Sequence, residues 1–165
     1  YKGLDLLIEA TNYLTDDFQL IIAGESYGSF EKYSQLIAKS PLRKNILVLE
    51  KYISDDMASI LFSAADVLVL PYKSATQSGV IGMAYQLETP VIVTDVGALG
   101  ETVRNAGTGI VANDISALEI ANTVKDYFQN DRSEYFLKNI KSEKNRLSWA
   151  SFVSSLQDFI LKELS

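Results

Sequence analysis

Residues 66–94 read DVLVLPYKSATQSGVIGMAYQLETPVIVT. Two short runs rich in Val, Leu and Ile, 66–70 and 90–94, stand at either side of a loop of small polar residues and a stretch of helical period over 79–87. Runs this short and this continuously apolar suit strands covered on both faces. A helix between two such runs is the crossover that joins parallel strands. The segment therefore predicts a β-loop-α-β unit.

The same alternation continues outward in both directions. Strands are expected at 18–23, 45–49 and 109–112, and helices at 4–14, 30–39, 55–64 and 116–129, with Ser54 and Ser116 placed as N-caps. Beyond residue 130 the strand pattern stops. Two helical stretches follow at 133–146 and 149–164, the second with Phe152, Leu156, Phe159 and Ile160 on one face that must pack on something. Trp149, Tyr127 and Tyr135 are expected in core or interface packing, and the basic run Arg132, Lys138, Lys141, Lys144 and Arg146 as a solvated helix face. The expected fold is an α/β, Rossmann-like, doubly wound parallel sheet forming one domain over 1–165, of which 131–165 is a helical tail. Tyr1-Lys2-Gly3 leads into a helix with no strand before it, so the first strand is expected upstream, lost by truncation.

Composition narrows the chemistry. The chain has 165 residues, 47% hydrophobic and 22% charged with three prolines, which is the profile of one ordinary globular domain. A net charge of −6 opposes sequence-independent binding to nucleic acid or anionic lipid. With neither Cys nor His, the chain offers no thiolate or imidazole metal site, no Cys nucleophile and no Ser-His-Asp triad. There is no apolar stretch long enough to span a bilayer and no visible export signal, so a cytoplasmic setting is the default expectation.

In doubly wound sheets, ligands sit at the carboxyl ends of the strands. The loop after Ala23 carries Gly24, Glu25 and Gly28, which permit either close backbone approach to a ligand or an ordinary flexible turn. The loop after Leu70 leads through Thr76, Gln77, Ser78, Gly79 and Val80 into a helix N-terminus. There free N–H groups and the helix dipole would favour a diphosphate, although a plain N-cap gives the same pattern. The loop after Thr94 holds Gly97, Gly100 and Glu101; its carboxylate is either an acceptor for ribose hydroxyls or a solvated cap. Lys2 is a phosphate partner or a solvated charge, and Tyr52 stacks on a base or covers the sheet edge.

Taken together, Lys2-Gly3-Leu4-Asp5, Ala23-Gly24-Glu25, Asp66 through Tyr72, Ser78-Gly79-Val80, Thr89-Pro90-Val91-Ile92, Gly97 through Glu101 and Gly107-Thr108-Gly109 resemble the C-terminal domain of family 4 retaining glycosyltransferases of the GT-B fold. The resemblance covers roughly residues 1–130 and rests on several ordered blocks rather than on one glycine motif. It implies a nucleotide-sugar-binding domain that faces a missing N-terminal acceptor domain across the active cleft. It also implies transfer of a hexosyl-type sugar to a glycan or lipid-linked acceptor with retained configuration, as in polysaccharide biosynthesis by bacterial members. On the same ground no metal or other cofactor is expected, and the isolated chain is expected to be inactive. By position, Lys2 resembles the family's phosphate-contacting Lys, Ser78 through Val80 its phosphate-cradling loop, and Glu101 the Glu of its glycine-rich loop. The Trp149 helix looks like the family's final helix, which often crosses back toward the N-terminal domain. The family commonly carries two Glu residues in the donor-holding helix region; those places fall here on Ala75 and Met83, and Thr76 and Gln77 are left to supply polar contacts.

Two other functions suit a doubly wound sheet. A nicotinamide or flavin dinucleotide binder would need Gly-x-Gly-x-x-Gly after a strand, which the sequence lacks. A non-catalytic nucleotide-sugar-binding or interaction domain stays open, because neither Ala75 nor Met83 can supply a carboxylate.

Overall fold

The structure is a computed structural model that describes residues 1–163. Helix α1 (Leu4–Ala10) continues through a 3₁₀ turn at Thr11–Tyr13 and leads to β1 (Leu20–Ala23). There follow α2 (Glu31–Lys39), β2 (Ile46–Leu49), α3 (Asp55–Ala64), β3 (Leu68–Leu70), α4 (Gly79–Gln86) and β4 (Val91–Thr94). The chain goes on through α5 (Leu99–Ala106), β5 (Gly109–Ala112), α6 (Ala117–Gln129), α7 (Ser133–Arg146) and α8 (Trp149–Glu163). Each expected strand forms, the first four starting one or two residues later than expected and the fifth as expected, and every pairing is parallel. The expected end of the last helix, residue 164, lies outside the described residues.

The sheet comes in two blocks. β1 pairs with β2 in the register Leu20↔Ile46, and β3-β4-β5 forms a separate three-stranded ladder in which Val91 faces both Leu68 and Gly109. β4 is the central strand of its block, and all four of its residues are buried, as a continuously apolar run predicts. The strands of the first block are only partly covered: Ala23 is exposed and Leu47 is 44% exposed, so the expectation of two covered faces fails there. Among the described residues β1 and β2 pair only with each other, so each has one unpaired edge.

The core lies on both sides of β3–β5. One cluster joins Leu70, Tyr72, Ile81, Tyr85, Val93 and Leu99 with Ile140 of α7. The other side packs Ile92, Val124, Tyr127 and Phe136, and Tyr127 donates its hydroxyl to the Asp66 carbonyl at 2.8 Å. Burying clusters of this kind stabilises the domain at about 25 cal/mol per Å² of apolar surface. Ser54 and Ser116 cap α3 and α6 as expected, accepting from the N–H groups of Met57 and Glu119.

Of the aromatics expected in core or interface packing, Tyr127 is core, while Tyr135 is 58% and Trp149 81% exposed and lie outside the core; the apolar face of α8 is open, with Phe159 61% exposed. The basic residues of α7 are not simply solvated: Lys141 and Lys144 pair with Glu88, Lys144 also donates to the Gln86 carbonyl, and Arg146 pairs with Glu143. Lys141 and Lys144 bind α7 to the end of α4, whereas the Arg146 pair lies within α7. Helix α5 was not anticipated as an element of the alternation. Its eight residues include Gly100 and present only Leu99 and Val103 as buried, large apolar positions, too few to declare a period.

Candidate nucleotide-binding site

The carboxyl ends of β3 and β4 carry the best-built part of the site. Loop 71–78 is fixed from two directions. On one side, the Lys73 N–H donates to the Tyr1 carbonyl at 2.8 Å, and Gly3 packs so closely that a Cβ there would sit 1.8 Å from the Pro71 oxygen. On the other side, the Ala98 N–H donates to the Thr76 carbonyl at 3.0 Å, and a Cβ on Gly97 would meet the Ala75 oxygen at 1.8 Å. Gly97 has φ 51°, in the left-handed region. The buried Thr94 hydroxyl closes the base of the loop by donating to the Tyr72 carbonyl.

This stitching leaves the start of α4 facing outward. Thr76, Gln77 and Gly79 are exposed and Ser78 is half-buried. Ser78 occupies the N-cap position with extended backbone, but its side chain makes no capping bond. Its Oγ lies 3.5 Å from the hydroxyl of buried Tyr72, at the outer limit of a hydrogen bond. Of the two readings of this loop, the plain side-chain cap by Ser78 is therefore the one the structure lacks. No side-chain cap satisfies the first N–H groups of α4, and such groups remain available to an anion.

The remaining candidates fall into two sets. Lys2 is exposed and is carried beside loop 71–78 by the Tyr1–Lys73 and Gly3–Pro71 contacts. Glu101 is exposed in the first turn of α5, which the Ala98–Thr76 bond joins to the same loop. Val80 packs inward against the core. Lys2, Thr76, Gln77, Ser78, Gly79, Val80 and Glu101 thus share one end of one block. Gly24, Glu25 and Tyr52 sit at the carboxyl ends of β1 and β2, in the other block. There the Gly24 N–H donates to the Leu49 carbonyl at 3.1 Å, Glu25 is exposed, and Tyr52 is 72% exposed with its ring uncovered.

The positions without carboxylates are also located. Ala75 is half-buried behind the loop, and Met83 is exposed on α4 one turn beyond Gly79. Asp95, the other carboxylate of the β4–α5 connection, is taken by Arg104 through both oxygens, at 3.1 Å and 2.5 Å. The Arg104 hydrogen bonds hold the Asp95 carboxyl below its ordinary value. Glu101 is left as the carboxylate of this loop without such a clamp.

Asp5 escaped the sequence reading as a functional residue. Its Oδ2 accepts from Lys73 at 2.7 Å and from Lys32 at 3.2 Å, and its Oδ1 accepts from the Leu6 N–H at 3.1 Å. Burial pushes its carboxyl up, but the hydrogen bonds from Lys73, Lys32 and Leu6 outweigh it and hold the pKa at about 2. The only signal in the sequence was the Lys2-Gly3-Leu4-Asp5 block itself.

The cavities found elsewhere, of about 320 Å³ between Asp66, Glu88 and Tyr127 and about 520 Å³ beside β5 and α6, do not involve the site residues. Among the described residues there is no cluster of three metal-ligating side chains, and no helix is long and apolar enough to cross a membrane.

A parallel α/β domain with an open helix N-terminus between glycine-bearing loops at its strand ends is the architecture of a Rossmann-like, GT-B glycosyltransferase domain. The sequence pattern of the glycosyl transferases group 1 matches residues 1–130, and the chain belongs to that family. It is 28% identical over 165 residues to an uncharacterized glycosyltransferase, MJ1178, of Methanocaldococcus jannaschii, covering 99% of this chain and 45% of that protein. It is 27% identical over 168 residues to a glycogen synthase of Oceanobacillus iheyensis, covering 95% and 34%. Among solved structures, a glycosyltransferase of Rickettsia africae superposes with a TM-score of 0.81 at 20% identity over 100% of this chain and 45% of that one. Anabaena Alr3699/HepE, solved with UDP, superposes at 0.80 with 17% identity over 98% and 46%. The chain spans less than half the length of these relatives.

Proposed function

We propose that this chain is the donor-binding half of a sugar-transferring enzyme, holding a nucleotide-sugar by its diphosphate at the N-terminus of α4. The observation that carries the reading is loop 71–78, pinned on both sides so that Thr76, Gln77 and Gly79 stand exposed at an uncapped helix start beside Lys2. The UDP and UDP-glucose bound to Alr3699/HepE support the ligand class. Charge grows on the leaving diphosphate as the glycosidic bond breaks. Fixed N–H groups and Lys2 would stabilise that charge without a metal, and losses at such sites run to about 3–4 kcal/mol. Glu101 would accept from ribose hydroxyls, with Gly24, Glu25 and Tyr52 on the side of the sugar or base.

The acceptor, a glycan or lipid-linked sugar, belongs in this reading to an N-terminal domain that the chain does not contain, and transfer proceeds with retention. The enzyme would work in the cytoplasm, its full-length form resting on a membrane where the acceptor requires it.

A second reading, binding without turnover, is favoured by one observation: Ala75 is half-buried and Met83 presents a thioether where the family commonly has carboxylates. Sugar transfer by the full-length parent separates the two.

Gly79→Pro tests the site. Proline is tolerated at the first helical position, nothing lies within 4 Å of the Gly79 Cβ position, and the substitution deletes one N–H that a phosphate would take. The variant should keep its melting temperature and lose about tenfold or more in nucleoside-diphosphate affinity. Lys138→Ala, on the exposed side of α7, serves as control and should bind as the parent does. Equal binding by all three proteins would remove the diphosphate from α4.

A further inference from the structure

We infer that Asp5 is the positioning residue that locks the loops of both sheet blocks into one platform for the donor. The inference rests on the donor-site reading above. Asp5 stands in the first turn of α1, Lys32 in the first turn of α2 at the end of the loop from β1, and Lys73 in the loop from β3. No strand ladder joins those two loops, because β1 and β3 belong to different blocks. A single carboxylate oxygen does so instead, accepting from both ammonium groups.

Several features separate this arrangement from an ordinary surface ion pair, which contributes little. Asp5 is only 17% exposed, whereas Lys32 and Lys73 are 69% and 43% exposed, so the acceptor is the fixed point and the lysines are drawn to it. Its second oxygen is anchored by the Leu6 N–H, which fixes the carboxylate plane. Lys73 is gripped twice by the same segment, through its main-chain N–H on the Tyr1 carbonyl and through Nζ on Asp5. Remove the carboxylate, and two like charges face each other at the junction of the loops. Loop 71–78 then keeps its contacts to Gly97 and Ala98 but loses its side-chain tie to α1, and the loop from β1 loses its link to β3.

The consequence is directional. The loops carrying Gly24 and Glu25 and those carrying Thr76, Gln77 and Gly79 should loosen together when Asp5 is changed, while the core around Ile92 and Tyr127 should not. Hydrogen exchange followed by mass spectrometry on the wild type, Asp5→Asn, Asp5→Glu and Lys73→Met reads this directly, alongside titration with UDP, GDP and ADP. Asp5→Asn should speed exchange in both 24–31 and 71–79 and weaken nucleoside-diphosphate binding about tenfold at temperatures well below melting. Lys73→Met should weaken binding less than additively when combined with Asp5→Asn, and Asp5→Glu should restore part of the loss.

Faster exchange in one loop alone, or in neither, overturns the proposal, as does unchanged affinity in an Asp5→Asn protein whose loops have loosened. A wild type that binds none of the three nucleotides would refute the donor site. The exchange data would still judge whether Asp5 couples the loops.

Discussion

Replacing Gly97 by Ala should damage the site more than any neighbouring Gly→Ala change at an open position. The residue has φ 51°, where an L side chain costs about 1–2 kcal/mol. Its new Cβ would lie 1.8 Å from the Ala75 oxygen, so the two loops must part by at least 1.2 Å to reach the 3.0 Å below which Cβ contacts are essentially never seen. That movement breaks the adjacent 3.0 Å bond from the Ala98 N–H to the Thr76 carbonyl, a further loss of about 0.5–1.5 kcal/mol. The total is about 1.5–3.5 kcal/mol, equivalent to a fall of about 1–2 M in the urea midpoint. Urea unfolding followed by tyrosine fluorescence gives the stability, and titration with a nucleoside diphosphate gives the site. Affinity should fall with stability, because Thr76 and Gln77 move with the loop. A Gly97→Ala protein within about 0.5 kcal/mol of the parent, binding nucleotide equally well, would refute the claim that these two loops form one rigid unit.

Ser116→Ala should cost about 1 kcal/mol because it removes a bond to the Glu119 N–H, whereas Ser78→Ala should cost under about 0.5 kcal/mol because Ser78 caps nothing; thermal melts of the two variants compare them. The pH dependence of Asp5 has a definite sign. Its folded pKa of about 2 lies below the ordinary 3.8, so its contribution is fully present above about pH 4 and is lost as pH falls through 2. With screening by exposed lysines that contribution is about 1–2 kcal/mol, and the stability difference between wild type and Asp5→Asn should shrink by this amount between pH 5 and pH 2.

Much of the architecture was legible because it is local. The run from Asp66 to Thr94 declares two strands and the helix between them, and Ser54 and Ser116 mark helix starts by their own side chains. The cluster of Thr76, Gln77, Ser78 and Gly79 was likewise visible, since a loop of small polar residues before an apolar helix is a contiguous signal. What escaped was non-local or too short. Asp5 meets Lys73 across 68 positions and Lys144 meets Glu88 across 56, separations that no periodicity reports. Helix α5 gave too few apolar positions to announce itself. The split between β1 and β3 is a property of strand edges, which the apolar content of each strand does not encode. The open face of α8 follows the same logic: the spacing of Phe152, Leu156 and Phe159 signals an apolar stripe but not what covers it.

Calorimetric titration of the protein with UDP, GDP and ADP, in the absence of divalent metal and with NAD as a competitor, tests the central claim most directly. Saturable binding of a nucleoside diphosphate that NAD does not displace is the predicted result. Absence of heat with all three nucleotides from a folded protein would contradict the assignment of this domain as the donor-binding half.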